Sequence, residues 1–299
     1  MNWEEAKEGF EGYLKLEKSL SQNSVSAYIN DINKLITYLE QKFGGMLPAA
    51  VRLAHLKDFV KWLNEEGVSP RTQARTISGI KSFYKYLLLE EVTDIDPTSL
   101  LEAPKVGRKL PDILSADEID MLINAVDIYR SEGQRNKAIL EILYGCGLRV
   151  SELVSLRISD LHFEKGYIRV LGKSDRERLV PISRRAIDEV ESYRNGYRTS
   201  LKVAEEDADI LFLNRRGRKL SRVMIFTIIK NLADKVKLNK KISPHTFRHS
   251  FATHLIDGGA DLRVVQEMLG HESILTTEIY THLDRNYLQD TINQFHPRK

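Results

Sequence analysis

A chain of 299 residues, 42% of them hydrophobic, is long enough to build the cores of two ordinary domains. Its 45 Lys and Arg against 42 Asp and Glu leave a formal net charge of +3, so bulk charge does not single out nucleic acid as a partner. The single cysteine, Cys146, excludes an internal disulfide and a cysteine-rich zinc site and reads as a small buried hydrophobe. No apolar run approaches a membrane span and no signal-peptide pattern follows Met1, so a cytoplasmic setting without a membrane partner is expected.

The first hundred residues read as helical. Residues 2–19 offer Phe10, Tyr13, Leu14 and Leu16 as an apolar stripe. In a second helix Val25, Tyr28, Ile29, Ile32, Leu35, Ile36 and Leu39 recur at steps of three and four, and Gly44-Gly45 stops it. Residues 53–66 form a third, with Leu56, Phe59, Val60 and Leu63 inward. Ser69-Pro70 starts a fourth, whose stripe is Ile77, Ile80, Phe83, Tyr84, Leu87 and Leu88. Its other face carries Arg71, Arg75, Lys81 and Lys85, either a solvated face or a surface for phosphates. Residues 1–105 hold 13 basic against 15 acidic side chains, a net of −2, which leaves +5 for the remainder.

Prolines 97, 104 and 111 with Gly107 mark a linker over 104–114, between a domain at 1–103 and another at 115–299. Ser115 and Glu118 form a capping-box pattern, and helices near 116–127 and 135–144 follow, ending at Gly145 and Gly147. Arg149 heads a short helix bearing Leu153 and Leu156. Residues 166–170 and 178–182 read as paired strands around Gly172-Lys173-Ser174-Asp175. Helices near 184–198 and 221–237 flank a short strand at 210–213, and Arg222 opens the second of them. Ser243-Pro244 starts a helix in which His245 and Arg248 share a face near the positive end of the dipole. Asp257-Gly258-Gly259 ends it. The next helix, from Asp261 to Gly270, buries Leu262, Val265 and Leu269, with His271 directly after it and Tyr280 further on. A tail helix over about 284–293 places Leu288, Ile292 and Phe295 on one stripe. One His-x-x-Arg pair, a loop histidine and a tyrosine, gathered by tight turns, suit phosphate chemistry.

Four segments carry a family resemblance: GCGLRVSEL at 145–153, LGKSDRERLVPI at 171–182, HTFRHSFATHL from His245, and LGH followed by TTEIYTHL. In this order and spacing they resemble the motifs of the tyrosine recombinases, the phage integrase family, and more closely the bacterial Xer recombinases that resolve chromosome dimers. The resemblance covers nearly the whole chain. It implies a mainly α fold: a helical, SAM-like core-binding domain and a mostly helical catalytic domain with a small antiparallel sheet, together a C-shaped clamp on DNA. It implies that Arg149 and Arg248 grip the scissile phosphate, helped by His271. Tyr280 attacks to give a 3′-phosphotyrosine, His245 takes its proton, and Lys173 protonates the departing 5′-oxygen. Arg71, Arg75, Lys81 and Arg222 are the expected DNA contacts. No cofactor and no metal are implied. The implied partners are a double-stranded recombination site, a homo- or hetero-tetramer with a sibling recombinase exchanging the tail 284–299, and an FtsK-type DNA translocase.

Other readings weigh against single residues. Tyr280 could be a core tyrosine, Arg149 a helix-start ion pair with Glu152, and Lys173 turn polarity. His245, His249 and His254 could hold a metal, although neither a HExxH glutamate nor a further cysteine supports them. Three other functions share features with the favoured one: a transposon- or phage-borne integrase, an architectural DNA-binding protein, and a strand-relaxing topoisomerase.

Overall fold

The computed structural model describes residues 1–104, 107, 112–172, 177–270 and 285–298. The chain forms two compact units, Met1–Lys109 and Leu110–Lys299.

Among its described residues the first unit holds four α-helices, α1 (Trp3–Leu16), α2 (Gln22–Phe43), α3 (Leu53–Glu65) and α4 (Pro70–Leu89). Three of them start at a side-chain cap: the Asn2 side chain accepts from the Glu5 amide, and Ser21 and Ser69 do the same for Ser24 and Thr72. Gly44 ends α2 at φ 68. The stripes read from the sequence meet in one core of Phe10, Leu14, Ile32, Leu35, Leu56, Phe59, Ile80 and Phe83. Leu16 is a correction. It closes α1 and is 83% exposed, because two residues beyond the buried Leu14 it faces the opposite side of the helix.

The second unit is mostly helical around a three-stranded antiparallel sheet. In chain order it contains α5 (Ala116–Asn124), α6 (Gly133–Gly145), α7 (Val150–Ser155), β1 (Leu161–His162), β2 (Tyr167–Leu171), β3 (Glu177–Pro181), α8 (Arg184–Asn195), α9 (Arg222–Lys235), α10 (Pro244–Asp257), α11 (Leu262–Leu269) and α12 (Arg285–Phe295). Strand β2 pairs with β3 from Tyr167 opposite Pro181 to Leu171 opposite Glu177. Helix α6 is buried almost all round and forms the middle of the core, with α8 and α10 against it.

Two expectations fail here. The strand read at 210–213 makes only single bridges, Arg157 with Ile210 and Leu213 with Lys219. Its backbone partners are scattered: Leu211 donates to Leu156 and Phe212 accepts from Leu220, while the carbonyls of Ile210 and Leu211 accept from Arg198 and that of Leu213 from Arg135. Leu262, expected inside, is 55% exposed. As the first residue after the Asp261 cap it points outward, and α11 buries Val264, Val265, Met268 and Leu269.

Candidate active site

The site grows from the end of α6. Gly147 takes φ 58, and a Cβ there would lie 2.5 Å from the Phe251 ring, so the chain turns where no side chain fits. The turn leaves Arg149 extended as the N-cap of α7. Three residues on, Glu152 reaches back: Oε2 accepts from the Arg149 amide at 2.7 Å and Oε1 from its Nη1 at 2.8 Å. The other Arg149 nitrogen, Nη2, donates to the Gly270 carbonyl at 3.0 Å, which ties the turn to the end of α11.

Arg248 approaches from α10, which Pro244 starts at N1. It is 7% exposed, donating from Nη1 to the Gly147 carbonyl at 2.8 Å and from Nη2 to Leu269 at 2.6 Å. Its Nη1 lies 3.9 Å from Glu152 Oε2. Both expected arginines therefore meet around one carboxylate.

A third arginine, Arg178 on β3, completes the cluster. Its fork holds Glu152 at 2.8 and 2.9 Å, and its Nε donates to the Met268 carbonyl at 2.9 Å. From the sequence Arg178 reads only as the start of a strand. The signal was there: an arginine in the strand following an expected catalytic lysine, with a glutamate three places after the expected catalytic arginine.

Among the described residues three guanidinium groups meet one carboxylate here, a formal excess of two positive charges. Burial pushes the Glu152 carboxyl up, but the hydrogen bonds and charges of Arg178 and Arg149 prevail and hold it below the usual carboxylate range. Burial, with the charge of Arg149 next, brings Arg248 down to about 10, so it remains a cation at neutral pH. Such a cluster, partly closed to water, is a ready receptor for an anion with several oxygens.

The remaining expected residues divide. Lys173, His271 and Tyr280 lie outside the described residues. His245 is exposed on the first turn of α10, three residues before Arg248, and His249 is exposed as well. His254 instead faces Tyr144, whose hydroxyl lies 2.7 Å from Nδ1. Among the described residues no three His, Cys, Asp or Glu side chains are arranged to hold a metal. In the first unit Arg71 and Lys81 are exposed on α4, whereas Arg75 is bound bidentately to the buried Asp31 at 2.6 and 2.9 Å. Arg75 also lines an open groove of about 530 Å³ with Asn30, Asn33, Lys34 and Trp62. Arg222 is exposed at the start of α9, beside Val223, which is 73% exposed.

Residues 112–286 match the phage integrase family, and residues 8–91 match the N-terminal SAM-like domain of phage integrases. The chain is a tyrosine recombinase of the phage integrase family. This recombinase is 42% identical over 295 residues to the tyrosine recombinase XerD of Oceanobacillus iheyensis, covering 99% of each chain. It is also 42% identical over 300 residues to that of Chlorobaculum tepidum, covering 99% of this chain and 97% of the relative. Among solved structures, the XerH site-specific recombinase bound to a palindromic difH substrate in a post-cleavage complex matches with a TM-score of 0.71 at 23% identity. That match covers 95% of this chain and 83% of the other and shows a shared fold. The family resemblance read from the four motifs is borne out, as is the mainly α fold class. Among the described residues no helix is long and apolar enough to cross a membrane.

Proposed function

We propose that this recombinase cuts and rejoins double-stranded DNA at a Xer-type site and so resolves chromosome dimers in the cytoplasm. The observation that carries the reading is the uncompensated charge where Arg149 and Arg248 meet around Glu152, in a chain akin to XerD over nearly its whole length. A phosphodiester resists attack because it is anionic, and two arginines that stay protonated at neutral pH offset that charge as it grows in the transition state. Tyr280 Oη attacks phosphorus, the bond to the 5′-oxygen breaks, and a 3′-phosphotyrosine forms. His245 takes the phenolic proton, Lys173 supplies one to the 5′-oxygen, and His271 donates to a non-bridging oxygen. Because the covalent ester keeps the energy of the broken bond, a 5′-hydroxyl from another strand can displace the tyrosine by the reverse steps.

The domain division follows the same reading: 1–103 for site binding, a linker at 104–114, and 115–299 for catalysis. Arg71, Lys81 and Arg222 anchor phosphates, and Arg75 has donors left over beyond its Asp31 pair. Four subunits, alike or from two sibling recombinases, assemble on paired sites, and an FtsK-type translocase brings those sites together. The tail is the proposed link between neighbours. In this structure α12 docks on its own unit through Leu288 and Ile292, with Phe295 packed over Gly258 and Gly259. Its end is latched by Arg298, paired with Glu141 and Asp120. A neighbour's tail offers the same groups to the same socket.

A nicked suicide substrate tests the chemistry. Wild-type protein is expected to become covalently joined to the 3′ end, with or without EDTA, and Tyr280→Phe to bind without joining. An adduct with Tyr280→Phe at wild-type yield removes the nucleophile from its role. Relaxation of supercoiled plasmid lacking any recombination site favours the topoisomerase reading instead.

A further inference from the structure

We propose that Arg178 is a positioning residue for the phosphate-gripping arginines, acting through the Glu152 carboxylate and the end of α11 rather than on DNA itself. The proposal rests on the assignment of Arg149 and Arg248 to the phosphate. Three of the five Arg178 donors point into the protein: the fork spans both Glu152 oxygens and Nε takes the Met268 carbonyl. Its side chain is only 13% exposed, against 34% for Arg149. Glu152 is the shared member. The oxygen that accepts from Arg178 Nη1 also accepts from Arg149 Nη1, and the oxygen that accepts from Arg178 Nη2 also accepts from the Arg149 amide.

The second anchor acts on the other side of the cluster. Arg178 Nε holds Met268, Arg248 Nη2 holds Leu269 and Arg149 Nη2 holds Gly270, so three successive carbonyls at the end of α11 each take one arginine. Gly270 sits at φ 64, and a Cβ there would lie 3.0 Å from Arg178 Cδ. The Arg178 stem thus lies against the residue where α11 stops. With a bidentate grip at one end and a carbonyl at the other, Arg178 sets the distance from Glu152 to α11. Arg149 and Arg248 span that same gap. Lysine has the charge but a single point of attachment, so it cannot set this distance.

The test is single-turnover cleavage by Arg178→Lys on three substrates: the natural phosphate, a 5′-bridging phosphorothiolate, and a methylphosphonate lacking the non-bridging charge. Cleavage of the natural phosphate is expected to fall about 10- to 100-fold, as displacement of catalytic groups by under an ångström does. Half-site affinity and melting temperature stay near wild type. The loss persists with the phosphorothiolate, whose thiolate leaves without a proton, and shrinks with the methylphosphonate, which asks less of the arginines. Combining Arg178→Lys with Glu152→Gln costs no more than the worse single change. A wild-type rate for Arg178→Lys, rescue by the phosphorothiolate, or additive losses in the double variant would each overturn the proposal. Should Arg178→Lys melt below the assay temperature, Glu152→Asp carries the same test, because it withdraws the carboxylate from the fork while keeping its charge. Arg149→Ala runs alongside. Normal cleavage by that variant removes the phosphate-gripping assignment, whereas a defective Arg149→Ala beside a normal Arg178→Lys removes only the positioning role.

Discussion

Each unit of this protein buries a carboxylate against arginine, and the two sites differ in what is left over. Asp31 on α2 is fully buried and meets one arginine, Arg75, and the Thr76 hydroxyl at 2.9 Å. The charges balance. Burial raises the Asp31 carboxyl and outweighs the lowering by Thr76 and Arg75. Glu152 is nearly as buried, at 7% exposure, yet three arginines surround it and its carboxyl is held low. A balanced pair ties α2 to α4, and an unbalanced cluster is prepared for an anion. Burial is common to both, so the excess of charge is what separates a structural pair from a candidate site.

The sharpest way to break this contrast is to remove the excess charge. Arg149→Ala and Arg248→Ala are each expected to slow covalent capture by about 10²–10³, read on a suicide substrate in a denaturing gel, while site binding in a gel shift changes far less. Equal losses in binding and cleavage make them ordinary phosphate anchors.

Removing the two carboxylates compares the sites directly. Glu152→Ala takes the buried carboxylate from three arginines, of which Arg248 is buried and Arg149 and Arg178 partly so, and is expected to cost about 3–5 kcal/mol of stability as well as cleavage. Asp31→Ala orphans the Thr76 hydroxyl but frees a half-exposed Arg75 to reach water, so about 1–3 kcal/mol is expected. Its cleavage rate at saturating DNA should stay unchanged. Urea titration with parallel single-turnover assays decides it, and an Asp31→Ala rate as poor as that of Glu152→Ala would erase the distinction.

Acid distinguishes the tail of the second unit from its charge cluster. His296 is fully buried, and burial brings its imidazole down to about 4. A histidine lowered in this way stabilises the fold fully above its ordinary value of 6.5, and the contribution disappears as pH falls from there toward 4. At pH 5 the loss amounts to about 2 kcal/mol. Glu152, lowered from 4.5, adds stability above that value and loses it only further into acid. Burial pushes Glu141, which meets Arg298 in the same corner, up to about 7, so its protonation adds stability over the same range. The His296 loss is therefore read as the difference in stability between wild type and His296→Phe, which should shrink as pH falls from 7 to 5. A difference that stays constant from pH 7 to 5 contradicts a neutral, buried His296.

The smallest effect belongs to the exposed helix faces. Arg71→Ala should weaken DNA binding modestly and reduce the slope of log affinity against log salt by about one. An unchanged slope returns Arg71 to a solvated face.

The sequence determined the helices, their caps and most of the buried stripes, because spacings of three and four and residues such as Ser69-Pro70 act within a few positions. It also determined the family and where both expected catalytic arginines stand in the chain, since these belong to contiguous motifs. Tertiary structure alone decided how those arginines are held. Glu152, Arg178, Arg248 and the carbonyls of residues 268–270 converge from α7, β3, α10 and α11, and no periodicity links residues 26 or 90 places apart. The same reason explains Arg75, which reads as a surface cation until α2 supplies Asp31 from 44 residues away. It explains residues 210–213 as well, whose apolar run suggests a strand although its backbone partners come singly from Leu156, Leu220, Arg135 and Arg198. Apolar patterning selects local structure through the backbone's own period. The partner of a buried charge is chosen by whichever element packs beside it.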